Sequence, residues 1–577
     1  MRRPLTLLLA VLPALCACAK MRNPDTFVYA AVGEITSLDP VYPYDAVSQG
    51  TIFNVYETLI AFERDRNDRM VPLLATKVPS LANGLVSPDG RTYAFPIREG
   101  VRFHDGKPMT PEDVRYSLMR FLLVDRAGGP SSLLLEPILG VTSTRDAGGA
   151  IAVRFEDVER AVRVEGDKVV VRLKTPFAPF LSIMARWSYV MSRAWAVEQG
   201  AWDGSAETWK TFNDPAKEDT RFFDRMNGTG PFRLERWDRV ARRLTLARND
   251  GYWREPASFR RVMVLSVPEN STRKLLLQAG DADIIEVRRP YLSQVRGMKG
   301  VRIVDGLPRL LTDPCFYFTF DINPKGNPDI GSGKLDGEGI PPDFFTDKDL
   351  RKAFAYSFDY DAFIRDTFKG SADRAKGPIP PGLPGYYPDM PHYTYDKRKA
   401  AEHFKKAWGG KVWERGFRFT LTYNMGGDVR EYACQILKKG VEALNPKFRV
   451  DTRGLEWASY LDRAQKRLMP LFSRGWTADY PDAHNFAFPY YHSQGRYPHA
   501  QGYRNPAMDR LVEGAVREVD PAKREKLYRE IQELGFEEVP QIYTVHPQGV
   551  YAMRDWVKGF YDNAVFMGVY FYPLSKR

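Results

Sequence analysis

The sequence predicts a mixed α/β protein built from several subdomains. The chain has 577 residues, too many for one small hydrophobic core, and typical domain sizes give about two to four units. Alternating strand-like runs and capped helical runs are mixed throughout. No unit of about twenty to fifty residues recurs, which argues against a solenoid or propeller.

The elements follow in order. Residues 1–20, MRRPLTLLLAVLPALCACAK, place Arg2 and Arg3 before a short apolar run from Leu5 to Leu15. That run is too short to span a bilayer, so it is expected to be an export signal. Leu15-Cys16-Ala17-Cys18 resembles a bacterial lipobox, with residues 1–17 removed and Cys18 acylated. Residues 89–108, DGRTYAFPIREGVRFHDGKP, read as a strand-rich unit. Thr110 is placed to cap a helix with Pro111 at its first position, and Val114, Leu118 and Phe121 fall on one face. Between Val153 and Leu173, Val162 and Val164 alternate with polar residues, Gly166-Asp167 supplies a turn, and Val169, Val171 and Leu173 resume the alternation, which predicts a hairpin. Residues 377–391, GPIPPGLPGYYPDMP, read as a stiff surface connection. Asp520-Pro521 opens a further helix whose core stripe is Leu527, Ile531 and Leu534.

Composition narrows the function classes. With 44% hydrophobic and 27% charged residues, the chain is an ordinary globular one. Its 13% aromatic content suits a core and equally a lined ligand cleft. The formal charge is +12, but basic residues are interleaved with acids, as in 517–525, and no phosphate-tracking stripe emerges. Nucleic acid is therefore not an expected partner. Beyond the leader, only Cys315 and Cys434 remain, read either as a pair or as two buried free thiols.

The common catalytic constellations are missing. There is no His-Glu-x-x-His, no Gly-x-Ser-x-Gly and no phosphate loop, since Gly331-Ser332-Gly333-Lys334 reads as a turn. His484, His492 and His499 lie near Asp479 and Asp482, but their spacings fit no single helix face, and no metal or other cofactor is expected. The informative stretch is 475–486, GWTADYPDAHNF. Asp479 stands between Trp476 and Tyr480, and a poorly hydrated carboxylate needs a cation or several donors. Two readings follow: a turn-capping aspartate, or an acid that receives a cation from outside.

Further landmarks carry a resemblance. They are Ser37-Leu38-Asp39-Pro40, Asn54-Val55-Tyr56-Glu57-Thr58-Leu59, residues 89–120, Pro176-Phe177-Ala178-Pro179-Phe180, Gly228-Thr229-Gly230-Pro231-Phe232, Asn249-Asp250-Gly251-Tyr252-Trp253, Leu350-Arg351-Lys352-Ala353-Phe354, Tyr395-Asp396 and GWTADYPDAHNF. Through nearly the whole mature chain, this ordered set resembles the family 5 extracellular solute-binding proteins, the peptide-binding components of ABC importers. The resemblance implies a type II periplasmic-binding-protein-like α/β fold with two hinged lobes and an inserted one: lobe I about 24–52, 223–305 and 546–577, lobe II 53–222, lobe III 306–545. It also implies that Asp479 of the Trp-x-x-Asp motif pairs with a peptide's α-ammonium beside Trp476. The basic residue that well-known members carry three positions before that tryptophan is Ser473 here. Arg474 is its neighbour, and Arg463, Lys466 and Arg467 are other candidates for the ligand's carboxylate. Tyr480 and Arg474 complete the candidate ligand-binding set.

The resulting expectation is a monomeric, lipid-anchored, extracytoplasmic binding protein that delivers peptides to an ABC permease and catalyses nothing. The rivals are the same fold holding an oligosaccharide, opine or metal chelate, and a secreted hydrolase using Asp479, Asp482 and His484.

Overall fold

The computed structural model describes residues 21 and 23–577, other than 147 and 567. The leader and Cys18 lie outside the described residues. No helix among the described residues is long and apolar enough to cross a membrane.

Two sheets organise the chain. The first has seven strands in the order 301–307, 549–554, 284–286, 26–31, 261–266, 243–248 and 232–238. Its central strand, Thr26–Ala31, runs parallel to both neighbours. The second has five strands in the order 448–455, 417–424, 471–477, 311–318 and 541–543. Strand Phe417–Asn424 is parallel to both of its neighbours, so three strands end at one edge. Ligands bind at such carboxyl edges in open α/β sheets.

The chain crosses between these sheets at Pro308–Leu310 and again at Gln548. Both crossings are short and lie side by side. A Cβ on Gly549 would sit 2.4 Å from the Arg309 guanidinium carbon, so glycine permits that approach.

Between strand 26–31 and the return to its sheet at 232, the chain forms a body around a three-stranded sheet, 92–96, 168–172 and 162–165. The expected hairpin is there, with Val164 opposite Val169 and Gly166 at positive φ. The expected helix is Pro111–Val124, where Thr110 and Asp113 form a reciprocal capping box and Val114, Leu118 and Phe121 are buried.

Some expectations are corrected. Residues 89–108 hold one strand, Thr92–Pro96, and beyond it only isolated bridges, Ile97 to Ala75 and Arg102 to Pro108. Residues 377–391 are irregular but not a surface connection: Ile379, Leu383, Tyr387 and Met390 are buried. Proline and glycine break the helix and strand pattern there without removing the apolar side chains that seek the core. Helix Pro521–Glu538 is capped by Asp520, but Leu527 and Leu534 are only half-buried, and its inward face is Tyr528, Ile531 and Gly535. Cys315 and Cys434 are free and buried.

The landmark residues meet in space. Asp39 and Arg120 form a buried bidentate ion pair at 2.6 and 2.7 Å. Glu57 accepts bonds from the Thr229 hydroxyl (2.8 Å), the Tyr252 phenol (2.6 Å) and the Trp253 indole (2.9 Å).

Candidate ligand-binding site

Strand Leu471–Thr477 delivers its last residues to the carboxyl edge, and a proline turn leads into helix His484–Tyr491. Asn485 clamps that turn. Its Oδ1 accepts the Asp479 backbone N–H (2.8 Å) and the Trp476 indole N–H (3.1 Å). In the turn before the helix, the Asp482 carboxylate accepts the His484 N–H at 2.8 Å and is gripped by Arg524 at 2.6 and 2.8 Å. Asp479 is thereby released from turn chemistry.

Asp479 is 4% exposed. Oδ2 accepts the Tyr44 phenol at 2.5 Å and the Asn485 amide at 3.3 Å. Among the described residues Oδ1 accepts no hydrogen bond, and the carboxylate has no ion pair. Burial pushes its pKa up to about 6, against the opposing bonds from Tyr44 and Asn485 and the fields of Arg186 and Arg496. Arg186 is buried, spent on the Tyr189 hydroxyl and the Trp187 ring.

Asp479, Trp476 and Tyr480 line a cavity of about 300 Å³ with Tyr44, Asn485, Arg496, His484 and Glu136. Arg496 makes no hydrogen bond or ion pair among the described residues. Lost hydration on its protein side, then repulsion from Arg474, pulls its guanidinium below the ordinary range, although it stays accessible through the cavity.

A larger cleft of about 610 Å³ separates the two sheets. Tyr29, Arg288, Asp313, Arg430 and Tyr551 are on its walls. Asp479 does not face it. Among the described residues none lines both spaces: Tyr44 and Trp476 line the smaller, while Val47 and Thr477 line the larger.

The other candidates lie elsewhere. Arg474 lines neither cavity, and its guanidinium rests on the rings of Trp457 (5.0 Å) and Tyr497 (5.7 Å). Arg463 pairs with Asp329, Lys466 with Asp462 and Arg467 with Asp321. Ser473 is buried. His484 and His492 bind Glu136 (3.1 Å) and Glu513 (3.3 Å), and no group of three or more potential metal ligands occurs among the described residues. Of the residues named for a hydrolase, Asp482 is held by Arg524 and His484 Nε2 meets Glu136.

Sequence reasoning missed Tyr44, Glu136 and Arg496. Asn485 was within the quoted stretch, but nothing local marked it as the clamp. Tyr44 and Glu136 stand hundreds of positions away, so only the folded chain presents them.

A family model described as bacterial extracellular solute-binding proteins, family 5, middle region, matches residues 69–498. A probable D,D-dipeptide-binding periplasmic protein, DdpA of Escherichia coli, is 24% identical over 95% of this chain and 93% of its own. Heme-binding protein A of Haemophilus influenzae is 24% identical over 94% and 91%. Among solved structures, the ABC transporter-associated periplasmic binding protein DppA of Helicobacter pylori, in complex with peptide STSA, aligns with a TM-score of 0.72 at 22% identity, over 96% of this chain and 98% of that one. The fold is that of the type II periplasmic binding proteins.

Proposed function

The chain belongs to the bacterial extracellular solute-binding proteins of family 5, and from that premise we propose that it captures a short peptide by its α-ammonium at Asp479. The observation that carries this reading is the Asp479 carboxylate, buried on a cavity wall with Oδ1 accepting no hydrogen bond among the described residues. A charge-assisted bond from an ammonium would satisfy it. The ligand's carboxylate would meet Arg496, the unpaired cation on the same wall. DdpA and the Helicobacter protein, by their names, handle dipeptides or peptides.

The finer proposals follow. The bodies carrying the seven- and five-stranded sheets act as lobes I and III with the boundaries given above, and 53–222 as lobe II. They close on the ligand, and the closed, monomeric protein presents it to an ABC permease while a diacylated Cys18 holds it at the membrane.

A double cycle tests the amine anchor: a bound peptide and its N-acetylated form against wild type and Asp479→Asn. Breaking one side of a buried pair costs about 3–5 kcal/mol, or about a few hundred- to a few thousand-fold in affinity. Strong coupling between the two changes is expected. Equal cost of acetylation in both proteins would make Asp479 a structural residue and remove the peptide reading.

A further inference from the structure

Six charged residues line the Asp479 cavity. Three are spent on the protein itself. The Asp125 carboxylate accepts the Ser143 hydroxyl (2.9 Å) and Thr144 N–H (2.7 Å) and faces Arg145 at 3.7 Å. Arg126 donates to the carbonyls of Tyr42 (3.1 Å) and Ala127 (3.0 Å). Asp479, Glu136 and Arg496 remain, two acids and one base. None of them has a Lys, Arg, Asp or Glu partner within ion-pair distance among the described residues.

The state of His484 decides whether Glu136 is neutralised. His484 Nε2 lies 3.1 Å from Glu136 Oε1, while its buried Nδ1 has no hydrogen-bond partner among the described residues. The residue is 1% exposed, with Phe177 edge-on at 5.4 Å. An imidazolium here would bury a charged N–H with no acceptor, which is costly. The neutral ring, donating Nε2–H to Glu136 and leaving Nδ1 as a bare acceptor, fits the site. Glu136 then has no cationic partner among the described residues. Its side chain is 26% exposed, and it also borders the adjoining cavity of about 150 Å³.

We propose that Glu136 is a second cation-binding position in this cavity, so that the ligand is a short peptide whose first residue is lysine or arginine. Such a molecule carries two positive groups and one carboxylate, complementary to Asp479, Glu136 and Arg496. This rests on the peptide reading above and adds the side-chain selectivity.

Lysyl-alanine and norleucyl-alanine have nearly the same shape and differ by one charge. Calorimetric titration of wild type with each should show lysyl-alanine binding about 10- to 100-fold more tightly, the worth of a bond between charged groups. Glu136→Gln keeps an acceptor for His484 and should erase that preference. Equal binding of the two peptides by wild type overturns the proposal and spares the peptide reading, and this arm does not depend on the variant folding. Persistence of the preference in Glu136→Gln overturns it as well. Failure of both peptides, together with their arginyl analogue, to bind wild type overturns the peptide reading and this proposal with it.

Discussion

The Tyr44 phenol donates a 2.5 Å hydrogen bond to Asp479 Oδ2. Tyr44 follows the central strand of the seven-stranded sheet, and Asp479 follows a strand of the five-stranded one. The bond therefore joins the two bodies on the wall of the smaller cavity. It satisfies one carboxylate oxygen with a neutral donor, which is enough to bury the group and too little to discharge it.

That balance makes stability and binding respond oppositely to pH. The folded Asp479 holds its proton up to about 6, whereas an unfolded aspartate releases it near ~3.9. The native state thus binds the proton more tightly. Its ionisation penalty, about 3 kcal/mol, is full above pH 6 and is relieved as pH falls toward 4. Ligand-free Asp479→Asn should be more stable than wild type in urea at pH 8, with the gap closing near pH 4. Ammonium binding needs the carboxylate, so wild-type peptide affinity should fall about tenfold per unit below pH 6. Flat profiles in both measurements would refute the assigned state of Asp479.

A second prediction concerns Glu57. Glu57→Ala strands the Thr229, Tyr252 and Trp253 donors, and each unsatisfied buried group costs about 1–3 kcal/mol. A Cβ on Gly228 would lie 2.2 Å from the Val55 carbonyl oxygen, so Gly228→Ala must displace backbone. Both variants should lose several kcal/mol in urea unfolding, about 3 or more for Glu57→Ala. Removing the exposed Arg288–Asp428 pair, 3.8 Å apart, should cost about 0–1 kcal/mol. Equal effects would mean that the Glu57 cluster is not the tie between these segments.

The same cluster shows what the sequence disclosed. Asn54–Leu59, Gly228–Phe232 and Asn249–Trp253 stood out as separate landmarks, and the fold brings them onto one carboxylate. Caps were legible because Thr110, Asp520 and their prolines act within a turn of themselves. The hairpin was legible because Gly166 fixes its register locally. Residues 377–391 were misjudged because proline and glycine report backbone shape and not burial. The site was half legible: Trp476, Asp479 and Asn485 share one short stretch, but Tyr44 is 435 positions from Asp479, and no local pattern encodes a pairing of that span.

Anchoring is tested by fractionation. Two acyl chains give stable membrane attachment where one is marginal. Wild type should sediment with membranes, and Cys18→Ala should appear in the soluble extracytoplasmic fraction or remain unprocessed. Soluble wild-type protein would remove the lipobox reading.

The last prediction concerns closure. Two short crossings connect the sheets, and small φ/ψ changes at such crossings swing whole bodies. A ligand can favour the closed arrangement only by the contacts it makes there and not in the open one. Tyr44–Asp479 is one bridge between the bodies, and Arg288–Asp428 is a second, exposed and weak. Tyr44→Phe removes the first bridge while keeping the ring, so ligand-free variant should be more expanded than ligand-free wild type in small-angle scattering. A peptide that binds Asp479 through its ammonium restores a bridge, and saturating peptide should bring both proteins to the same smaller radius of gyration. An unchanged radius in wild type at saturation would refute the hinge and leave binding intact. Identical ligand-free curves for the two proteins would show that the Tyr44 bond does not hold the bodies together.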